Sequence, residues 1–385
     1  MKFIHLGDLH LGRTLGDFEL LRDQKYALEQ VIGTVKDRQA DAVLIAGDVY
    51  DKSVPSEGAT ALFNWLLNEM SDTGAAVYII SGNHDSDERL NFGSTLFEIN
   101  NIHIVSVFDG HLAVRTLEDE WGEVNIYMLP FVKASQVRYY FPDEKIANYE
   151  DAVRTVTEDA GIDRNARNIL IAHQFVTGES GAPALGGSEG AGTLNVGLVE
   201  RIGSSCFAGF DYTALGHIHS PQKVGNERIR YSGSLLKYSV DEANNDKSFP
   251  FVTMGKKGDV QIETIPIKPL HDLRHIKGRL KEILKPENVT DPLDFIYATL
   301  TDEETVNDAM AIIQQTYPHC VKLDFENKRT GNDIMPGINN QAFGKSFDEL
   351  IRDFYKKVYD ADMDEEEMRI LKAVAGKAGV IDEAD

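Results

Sequence analysis

Eight side chains that can bind a metal ion or move a proton follow short apolar runs in this sequence. They are Asp8, His10, Asp48, Asn83, His84, His173, His217 and His219. Carboxylates, an amide oxygen and imidazoles, with no thiolate among them, suit Mn²⁺, Fe²⁺ or Zn²⁺ better than Mg²⁺. Asp8 and His10 lie two positions apart, as do His217 and His219, so on an extended segment each pair points to one side. These residue types predict a metal centre built from several distant segments.

Apart from His84, the set contains seven candidate ligands, which are too many for one ion. Two ions that share a carboxylate fit better. Two ions about 3.5–4 Å apart can turn a bridging water into hydroxide, hold the phosphate oxygens and neutralise the charge that develops during phosphoryl hydrolysis. His84 directly follows the candidate ligand Asn83 and can stabilise or protonate the leaving group. We therefore predict a two-metal phosphoryl hydrolase.

The apolar runs before these residues have the pattern of buried strands. They comprise residues 2–6, 42–46, 75–80, 168–172 and 211–215. Helical spacing in 18–38 predicts a helix between the first two strands, which makes a βαβ unit. Functional groups in such units gather at the carboxyl ends of the strands. Gly82 is expected to let the chain turn sharply there.

Other helices and strands are expected around this unit. We predict helices at 56–71, 86–99 and 145–160, strands of a second sheet within 101–132, and strands at 228–231, 249–253 and 260–267. His5 shares strand parity with Phe3, so it is expected in the core rather than in the site. His103 and His111 have no partner at a ligand-like spacing and are expected to be structural.

Composition limits the class of protein. The 385 residues include 39 basic and 62 acidic side chains, a formal net charge of −23. Such a balance disfavours direct phosphate binding by the chain itself, but bound divalent cations or a partner chain would supply positive charge locally. Cys206 and Cys320 have no paired spacing, which argues against a disulfide framework or a zinc finger and suits a reducing compartment.

No membrane segment is expected from the sequence. The chain opens into a strand without a signal-peptide pattern. Its apolar runs are far shorter than the roughly 20 residues that a membrane span needs. We expect a soluble cytoplasmic protein.

The composition changes near residue 268. We predict four parts: 1–268 as the main domain, 269–327 as a small α+β domain, 328–345 as a linker, and 346–385 as a helical tail. Residues 271–285 are basic and are expected to form a helix, followed by a strand at 295–300, a helix at 303–316 and a strand at 320–325. This basic helix is the best local candidate for contact with phosphates, with a solvated helix face as the alternative.

Two other segments and one side chain are open to more than one interpretation. The tail begins with a capping box at 346–349, and its two amphipathic helices either dock on a partner or fold back on the main domain. The glycine-rich segment 178–192 either shapes substrate access or is a disordered insertion. Arg89 either holds a phosphate or pairs with an acid.

Five motifs together resemble the calcineurin-like metallophosphoesterases. They are residues 8–10, 47–48, 82–85, His173 and 216–219. The resemblance implies a first metal bound by Asp8, His10, Asp48 and His219. It implies a second metal bound by Asp48, Asn83, His173 and His217. Asp48 would then bridge the two ions, and His84 would be the catalytic histidine.

A narrower similarity connects the chain to the SbcD nuclease subunits of bacteria. The matching segments are 2–12, 47–51, 82–90, 214–222 and 231–234. This resemblance is dense over residues 1–240 and thin beyond 270. It implies an α/β fold, a two-sheet metallophosphoesterase sandwich flanked by helices, with a small DNA-capping α+β domain and a C-terminal helical tail. Residues 235–238 depart from the proline-containing form expected in this family.

The same resemblance implies the activity and the partners. The family uses Mn²⁺ to degrade DNA from 3′ ends and to open hairpins during DNA end processing and repair. Its tail, here 346–385, binds an SbcC-type ATPase. Its subunits form a homodimer within a heterotetramer through helices that correspond to 56–71 and 86–98.

Three functions are compatible with these features. The first is a Mn²⁺-dependent DNA nuclease subunit that works with an ATPase. The second is a stand-alone metallophosphoesterase acting on a small phosphodiester or a phosphoprotein, which leaves the small domain and the tail unexplained. The third is a non-catalytic interaction subunit, which is disfavoured because all eight metal and catalytic positions are filled.

Overall fold

The computed structural model of the chain describes residues 1–178, 181, 183–185, 201–304, 306–326, 351–352, 355–356 and 362–377. The chain divides into two compact units, Met1–Phe325 and Glu326–Asp385. The first unit contains every predicted metal ligand and all strands of the described residues.

The strands are β1 Lys2–Leu6, β2 Thr14–Leu15, β3 Phe18–Glu19, β4 Ala42–Ala46, β5 Ala76–Ile80, β6 Ile102–Val105, β7 Ala113–Asp119, β8 Gly122–Leu129, β9 Arg167–His173, β10 Val176–Thr177, β11 Ile202–Gly203, β12 Tyr212–Gly216, β13 Gln222–Val224, β14 Asn226–Tyr231, β15 Ser248–Met254, β16 Val260–Pro266, β17 Leu273–Gly278, β18 Phe295–Leu300 and β19 Cys320–Phe325. The helices are α1 Leu21–Arg38, α2 Glu57–Ser71, α3 Asp87–Asn91, α4 Ser94–Phe97, α5 Ala134–Tyr140, α6 Tyr149–Asp159, α7 Leu280–Ile283, α8 Ala309–Gln314 and α9 Glu365–Lys377.

Two six-stranded sheets form the main body of the first unit. Their strand orders are β16-β15-β1-β4-β5-β6 and β13-β14-β12-β9-β8-β7. Strands β1, β4, β5 and β6 run parallel in the first sheet, and β8, β9, β12 and β14 run parallel in the second. Parallel strands of this kind are buried on both faces, which explains their continuous apolar runs.

Strand alternation divides the apolar side chains between three cores. Leu44 of β4 and Ile171 of β9 belong to the core between the two sheets. Val43, the neighbour of Leu44, instead belongs to the core that α1 and α2 form with the first sheet. Leu170, the neighbour of Ile171, packs in the core that α5 and α6 form with the second sheet. The predicted two-sheet α/β sandwich flanked by helices is therefore confirmed.

Of the three histidines that were expected to be structural, two have clear packing contacts. His5 is buried between the sheets, and its Nδ1 lies 3.0 Å from the Tyr212 hydroxyl. His103 stacks on Tyr78 with ring centroids 5.0 Å apart. His111 is exposed in a turn.

The segment 269–327, which was predicted to be a small domain, differs from the prediction in one important element. Residues 271–285 were expected to be one basic helix, but they form β17 and the short helix α7. Six consecutive residues of β17 pair in parallel with β18, which in turn pairs with β19. Buried Leu273 and half-buried Ile276 interrupt the basic residues, and backbone pairing with β18 decides the conformation. The expected helix at 303–316 is observed only as α8.

Two further expectations on secondary structure were wrong in detail. The single helix predicted at 86–99 is divided into α3, α4 and a 3₁₀ turn at Glu98–Asn100, because Gly93 has φ +76° between the first two. Strand β6 was assigned to a second sheet, but it pairs in parallel with β5 and extends the first sheet.

The second unit contains α9, which begins in the acidic run at 364–367. The predicted capping box at 346–349, most of the preceding apolar stripe and the linker at 328–345 lie outside the described residues. So does most of the glycine-rich segment 178–192. Among the described helices, none combines the length and the apolarity that crossing a bilayer requires.

Candidate metal centre

The carboxyl ends of parallel strands from both sheets meet at one rim. His173, the last residue of β9, donates a hydrogen bond from Nδ1 to the carbonyl oxygen of Ala46, the last residue of β4, at 2.8 Å. This bond joins the two sheets where their ligand-type side chains lie. It also directs Nε2 of His173 away from β4 and toward Asp48 and Asn83.

One group of side chains gathers around His10. Its Nε2 atom lies 3.0 Å from Nε2 of His219 and 3.5 Å from Oδ2 of Asp48. Ligand atoms of Asp8, His10 and His219 all lie within 4.8 Å of one another. The four residues of this group, Asp8, His10, Asp48 and His219, are buried.

A second group gathers on the other side of Asp48. Oδ2 of Asp48 lies 3.3 Å from Nε2 of His173. Oδ1 of Asn83 lies 3.0 Å from that nitrogen and 3.0 Å from Nδ1 of His217. Asp48 therefore contacts members of both groups, and the seven predicted ligands form one continuous cluster.

The donor atoms of this cluster fit metal ions. Among the described residues, Asp8 Oδ2 is buried without a hydrogen-bond partner. Leaving a buried polar atom unpaired costs about 1–3 kcal/mol. The 3.0 Å between the Nε2 atoms of His10 and His219 is close to the roughly 3.0–3.4 Å between two ligands held about 2.1 Å from one ion.

Four of the predicted ligands have an unusual backbone conformation. Asp8, His10, Asp48 and His217 have φ angles of +52°, +42°, +50° and +98°. Non-glycine residues rarely adopt positive φ, and such strain collects at functional sites. Local hydrogen bonds hold it here: the amide of His10 donates to the Asp48 carbonyl at 2.9 Å, and the amide of His217 donates to Oδ1 of Asp8 at 2.8 Å.

Two glycines allow the strand ends to approach closely. A Cβ on Gly82 would lie 2.1 Å from Oδ1 of Asp48, and a Cβ on Gly216 would lie 1.9 Å from the Ala46 carbonyl oxygen. Gly82 was expected to provide a sharp turn. Its contribution in the structure is the space for the Asp48 carboxylate, which accepts a hydrogen bond from the His84 amide at 2.9 Å.

Burial and mutual charge shift the pKa values of the cluster in different directions. Burial lowers the pKa of His217 to about 3 and that of His10 well below its usual value. Burial would raise the pKa of Asp48, but His173 beside it holds that pKa well below the ordinary value. Burial would lower the pKa of His173, yet the carboxylate of Asp48 raises it to about 9. Neutral imidazoles and an ionised carboxylate are the forms that bind metals.

His84 lies at the edge of the cluster and is half-buried. Its Nδ1 donates to the carbonyl oxygen of Asp51 at 3.1 Å. The ring packs edge-to-face on His10 with centroids 4.9 Å apart. A ring held in this way has a fixed orientation next to the candidate ligands, which suits proton transfer to a bound substrate.

Sequence reasoning missed several residues that support the ligands. Asp51 contacts Arg13 at 2.7 Å and lies 3.7 Å from Nδ1 of His10. Asp85 accepts hydrogen bonds from the amides of Val49, Tyr50 and Gly82 at 2.9–3.1 Å, and burial raises its pKa to about 7. Both follow a ligand within three positions, a spacing that could have identified them.

Glu242 and Lys247 also belong to this supporting set. They form a buried ion pair next to His219. Burial would raise the pKa of Glu242, but contacts with His219 and Lys247 hold it below the usual value. Their loop carries no motif that indicates a metal site. Arg89 is exposed.

This arrangement of strand ends and ligands defines a class of protein. Residues 1–221 match the family described as calcineurin-like phosphoesterases, and the chain belongs to that family. Residues 269–359 match the family described as a type 5 capsule protein repressor C-terminal domain.

A curated relative narrows the family membership. The chain is 33% identical over 367 residues to SbcD, a component of the nuclease SbcCD of Staphylococcus epidermidis, with 94% of each chain covered. Within the calcineurin-like phosphoesterases, the chain is therefore a member of the SbcD family.

Solved structures of distant proteins also match. A dimetal phosphatase from Danio rerio has a TM-score of 0.40 at 10% identity, covering 70% of this chain and 99% of that one. GAP50 from the inner membrane complex of Plasmodium has a TM-score of 0.40 at 12% identity, covering 84% and 96%. At this distance neither match bears on the function of the chain.

Proposed function

We propose that this chain is the nuclease subunit of an SbcCD-type complex, which hydrolyses DNA phosphodiesters with two bound Mn²⁺ ions. It acts as a 3′–5′ exonuclease and a hairpin-opening endonuclease in DNA end processing and repair in the cytoplasm. The observation that carries the proposal is the single cluster of seven ligand-type side chains divided by Asp48.

The two groups around Asp48 correspond to two metal positions. Asp8, His10, Asp48 and His219 would hold the first ion. Asp48, Asn83, His173 and His217 would hold the second. Asp48 would be shared by the two sites, which agrees with its contacts of 3.5 Å to His10 and 3.3 Å to His173.

The residues of the chain bind, orient and protonate the substrate. When bound, the two ions supply an activated hydroxide and neutralise the charge on the phosphate. His84 stands beside this centre with Nδ1 fixed by the Asp51 carbonyl. Its other ring nitrogen stabilises or protonates the oxygen that leaves phosphorus.

The small domain at 269–327 acts as a cap that contacts DNA. Its exposed basic side chains Lys277, Arg279 and Lys281 lie on and just after β17. In a chain with a net charge of −23, such residues and the bound ions provide the positive charge that phosphates require. Residues 328–345 act as the linker to the tail at 346–385, which docks on the SbcC-type ATPase.

The chain forms a homodimer within a heterotetramer through the surface that contains α2, α3 and α4. Phe92, Leu96 and Ile99 on this surface are 84%, 68% and 80% exposed. Three large apolar side chains exposed in one short segment of the chain indicate an interaction site. In a two-fold symmetric contact, this patch on one copy of the chain covers the same patch on the second copy.

Purified protein incubated with Mn²⁺ and end-labelled DNA tests this proposal. We expect shortening of a duplex from its 3′ ends and opening of a hairpin-ended duplex, both increased by the ATPase partner. Rapid turnover of a small phosphodiester without any DNA cleavage would favour a stand-alone phosphoesterase instead. Absence of both activities would contradict the hydrolase proposal.

Deletion of residues 346–385 tests the docking role of the tail separately. We expect the truncated chain to lose binding to the ATPase and to keep metal-dependent hydrolysis of a small diester. Normal binding of the ATPase by the truncated chain would contradict this role.

A further inference from the structure

A buried carboxylate and a buried ammonium group lie next to His219. Glu242 ends the 3₁₀ turn Val240–Glu242, and Lys247 directly precedes β15. Both side chains are buried, and the attraction within a buried ion pair often does no more than offset the loss of hydration of its two charges. A pair of this kind beside one candidate ligand suggests a specific task there.

Lys247 is fixed by three acceptors. Its ammonium group donates to the carboxylate of Glu242, to the His219 carbonyl oxygen at 2.9 Å and to Ser234 Oγ at 2.9 Å. A lysine ammonium has three protons, one for each of these acceptors. The ammonium group is thereby tied both to the Glu242 side chain and to the backbone of His219.

Glu242 faces the side of the His219 ring that is turned away from His10. Its Oε1 lies 3.8 Å from Nδ1 of His219, whereas Nε2 of His219 lies 3.0 Å from Nε2 of His10. An ionised carboxylate only accepts protons, so it favours the imidazole tautomer with the proton on Nδ1. Nε2 then directs its lone pair into the cluster.

We propose that Glu242 is a positioning residue that holds His219 in the tautomer able to bind the first metal ion through Nε2, and that Lys247 fixes Glu242 for this purpose. Carboxylates behind ligating histidines set ring orientation and ligand basicity in this way. The inference rests on the proposed metal site. It adds that Glu242 and Lys247 determine how strongly His219, one of the ligands of that site, binds the ion.

Glu242→Gln is the most direct test. The amide is close in size to the carboxylate but has only one acceptor oxygen. If that oxygen faces Lys247, the amide NH₂ faces Nδ1 of His219 and moves the ring proton to Nε2, where it blocks the metal. Loss of a supporting partner of this kind lowers metal affinity by about 10–100-fold. We expect that loss for one of two Mn²⁺ ions, measured by calorimetry on the full chain with Mn²⁺ alone.

Asp211→Asn provides a matched control. Asp211 is also a buried carboxylate paired with a lysine, since Lys257 Nζ contacts its Oδ2 at 2.8 Å. It directly precedes β12, whose opposite end carries His217. We expect Asp211→Asn to lower stability without changing the affinity or the stoichiometry of Mn²⁺ binding.

A spectroscopic measurement separates positioning from a general structural role. Long-range ¹H–¹⁵N spectra of the metal-free chain report which nitrogen of a histidine carries the proton. We expect Nδ1–H for His219 in the wild type, with a change in Glu242→Gln and none in Asp211→Asn. If Glu242→Gln fails to fold, Glu242→Asp, which keeps the charge but withdraws it by one methylene, carries the same test with a smaller loss.

The outcomes distinguish this inference from the proposed function. A folded Glu242→Gln chain that binds two Mn²⁺ ions as tightly as the wild type, with an unchanged His219 tautomer, would overturn the inference alone. A wild-type chain that binds no Mn²⁺ pair would overturn the metal site and the inference together.

Discussion

Nε2 of His173 lies 3.3 Å from Oδ2 of Asp48, although His173 ends a strand of the second sheet and Asp48 follows a strand of the first. The contact makes the packing of the two sheets a condition for the metal centre. Asp48 also lies 3.5 Å from His10, so both proposed metal positions use its carboxylate. Asp48→Asn is expected to keep the fold and to lose the binding of both ions.

The effect of Asp48→Asn on activity should exceed the cost of losing a supporting residue, which is about 10–100-fold. We expect DNA cleavage to fall by more than about 100-fold and calorimetry to detect no tight Mn²⁺ site. Circular dichroism should match the wild type. One tight ion remaining in Asp48→Asn would show that Asp48 does not bridge.

Mn²⁺ binding is expected to release protons at neutral pH. The pKa of His173 lies near 9 in the metal-free chain because the carboxylate of Asp48 outweighs burial. The ring therefore carries a proton on Nε2 at pH 7, and an ion must displace it, so affinity should rise between pH 6 and pH 8. Calorimetry in two buffers of different ionisation enthalpy should give about one proton released at this site. Equal apparent enthalpies in both buffers would contradict this account.

His84 is expected to contribute to the reaction without holding a metal. Its Nδ1 is used by the Asp51 carbonyl at 3.1 Å, and its other ring nitrogen is the group proposed to act on the leaving oxygen. His84→Gln should bind both ions normally and lower cleavage by about 10²–10⁴-fold. Loss of an ion in this variant would make His84 a ligand, and unchanged cleavage would remove its assigned role.

The main sandwich was predictable because its signals are local in the sequence. They are the apolar runs that mark strands, the spacing of apolar residues that marks helices, and the polar residues at which the strands end. Residues 42–46 form a continuous apolar run, and Asp48 follows it after one glycine. Once such strands are parallel, their carboxyl ends must share an edge. The convergence of Asp8, Asp48 and Asn83 therefore needed no knowledge of side-chain packing.

Other features depend on contacts that the sequence does not encode locally. Basic residues in 271–285 fit a helix as well as a strand, and pairing with β18 decides between them. Gly216 has an ordinary strand-end appearance, yet the nearby Ala46 carbonyl leaves no space for a Cβ. Glu242 meets His219 only because the loop before β15 folds back over the end of β12. No periodicity or spacing in the sequence predicts these contacts.

The proposed dimer depends on the exposed apolar patch of Phe92, Leu96 and Ile99. Ile99→Glu places a charge in that patch and should convert a dimer into a monomer at micromolar concentration. Analytical ultracentrifugation measures the change. Leu293→Glu is the matched control, because Leu293 is a 56% exposed apolar residue of the small domain. A wild-type monomer, or a dimer unaffected by Ile99→Glu, would contradict the proposed surface.

A partly buried ion pair outside the metal cluster should contribute to acid stability. Arg167 is buried and contacts both carboxylate oxygens of Asp119 at 2.5 and 2.9 Å. The hydrogen bonds from Arg167 hold the pKa of Asp119 well below its usual value. The unfolded chain then binds more protons than the folded one in acid, so this stabilisation is present above about pH 4 and is lost as pH falls.

Removal of the charge at Asp119 should therefore matter more at neutral than at acid pH. Asp119→Asn removes the negative charge that faces the Arg167 guanidinium and the Met1 ammonium, while Arg167 keeps its bonds to the carbonyl oxygens of Gly122 and Gly255. The loss of charge-assisted hydrogen bonds is expected to cost about 1–3 kcal/mol at pH 7. Urea unfolding of this variant should depend less steeply on pH below about pH 4 than that of the wild type. Glu118→Gln, an exposed neighbour on β7, should change stability by less than about 0.5 kcal/mol. Parallel acid limbs for the wild type and Asp119→Asn would mean that other carboxylates govern acid unfolding.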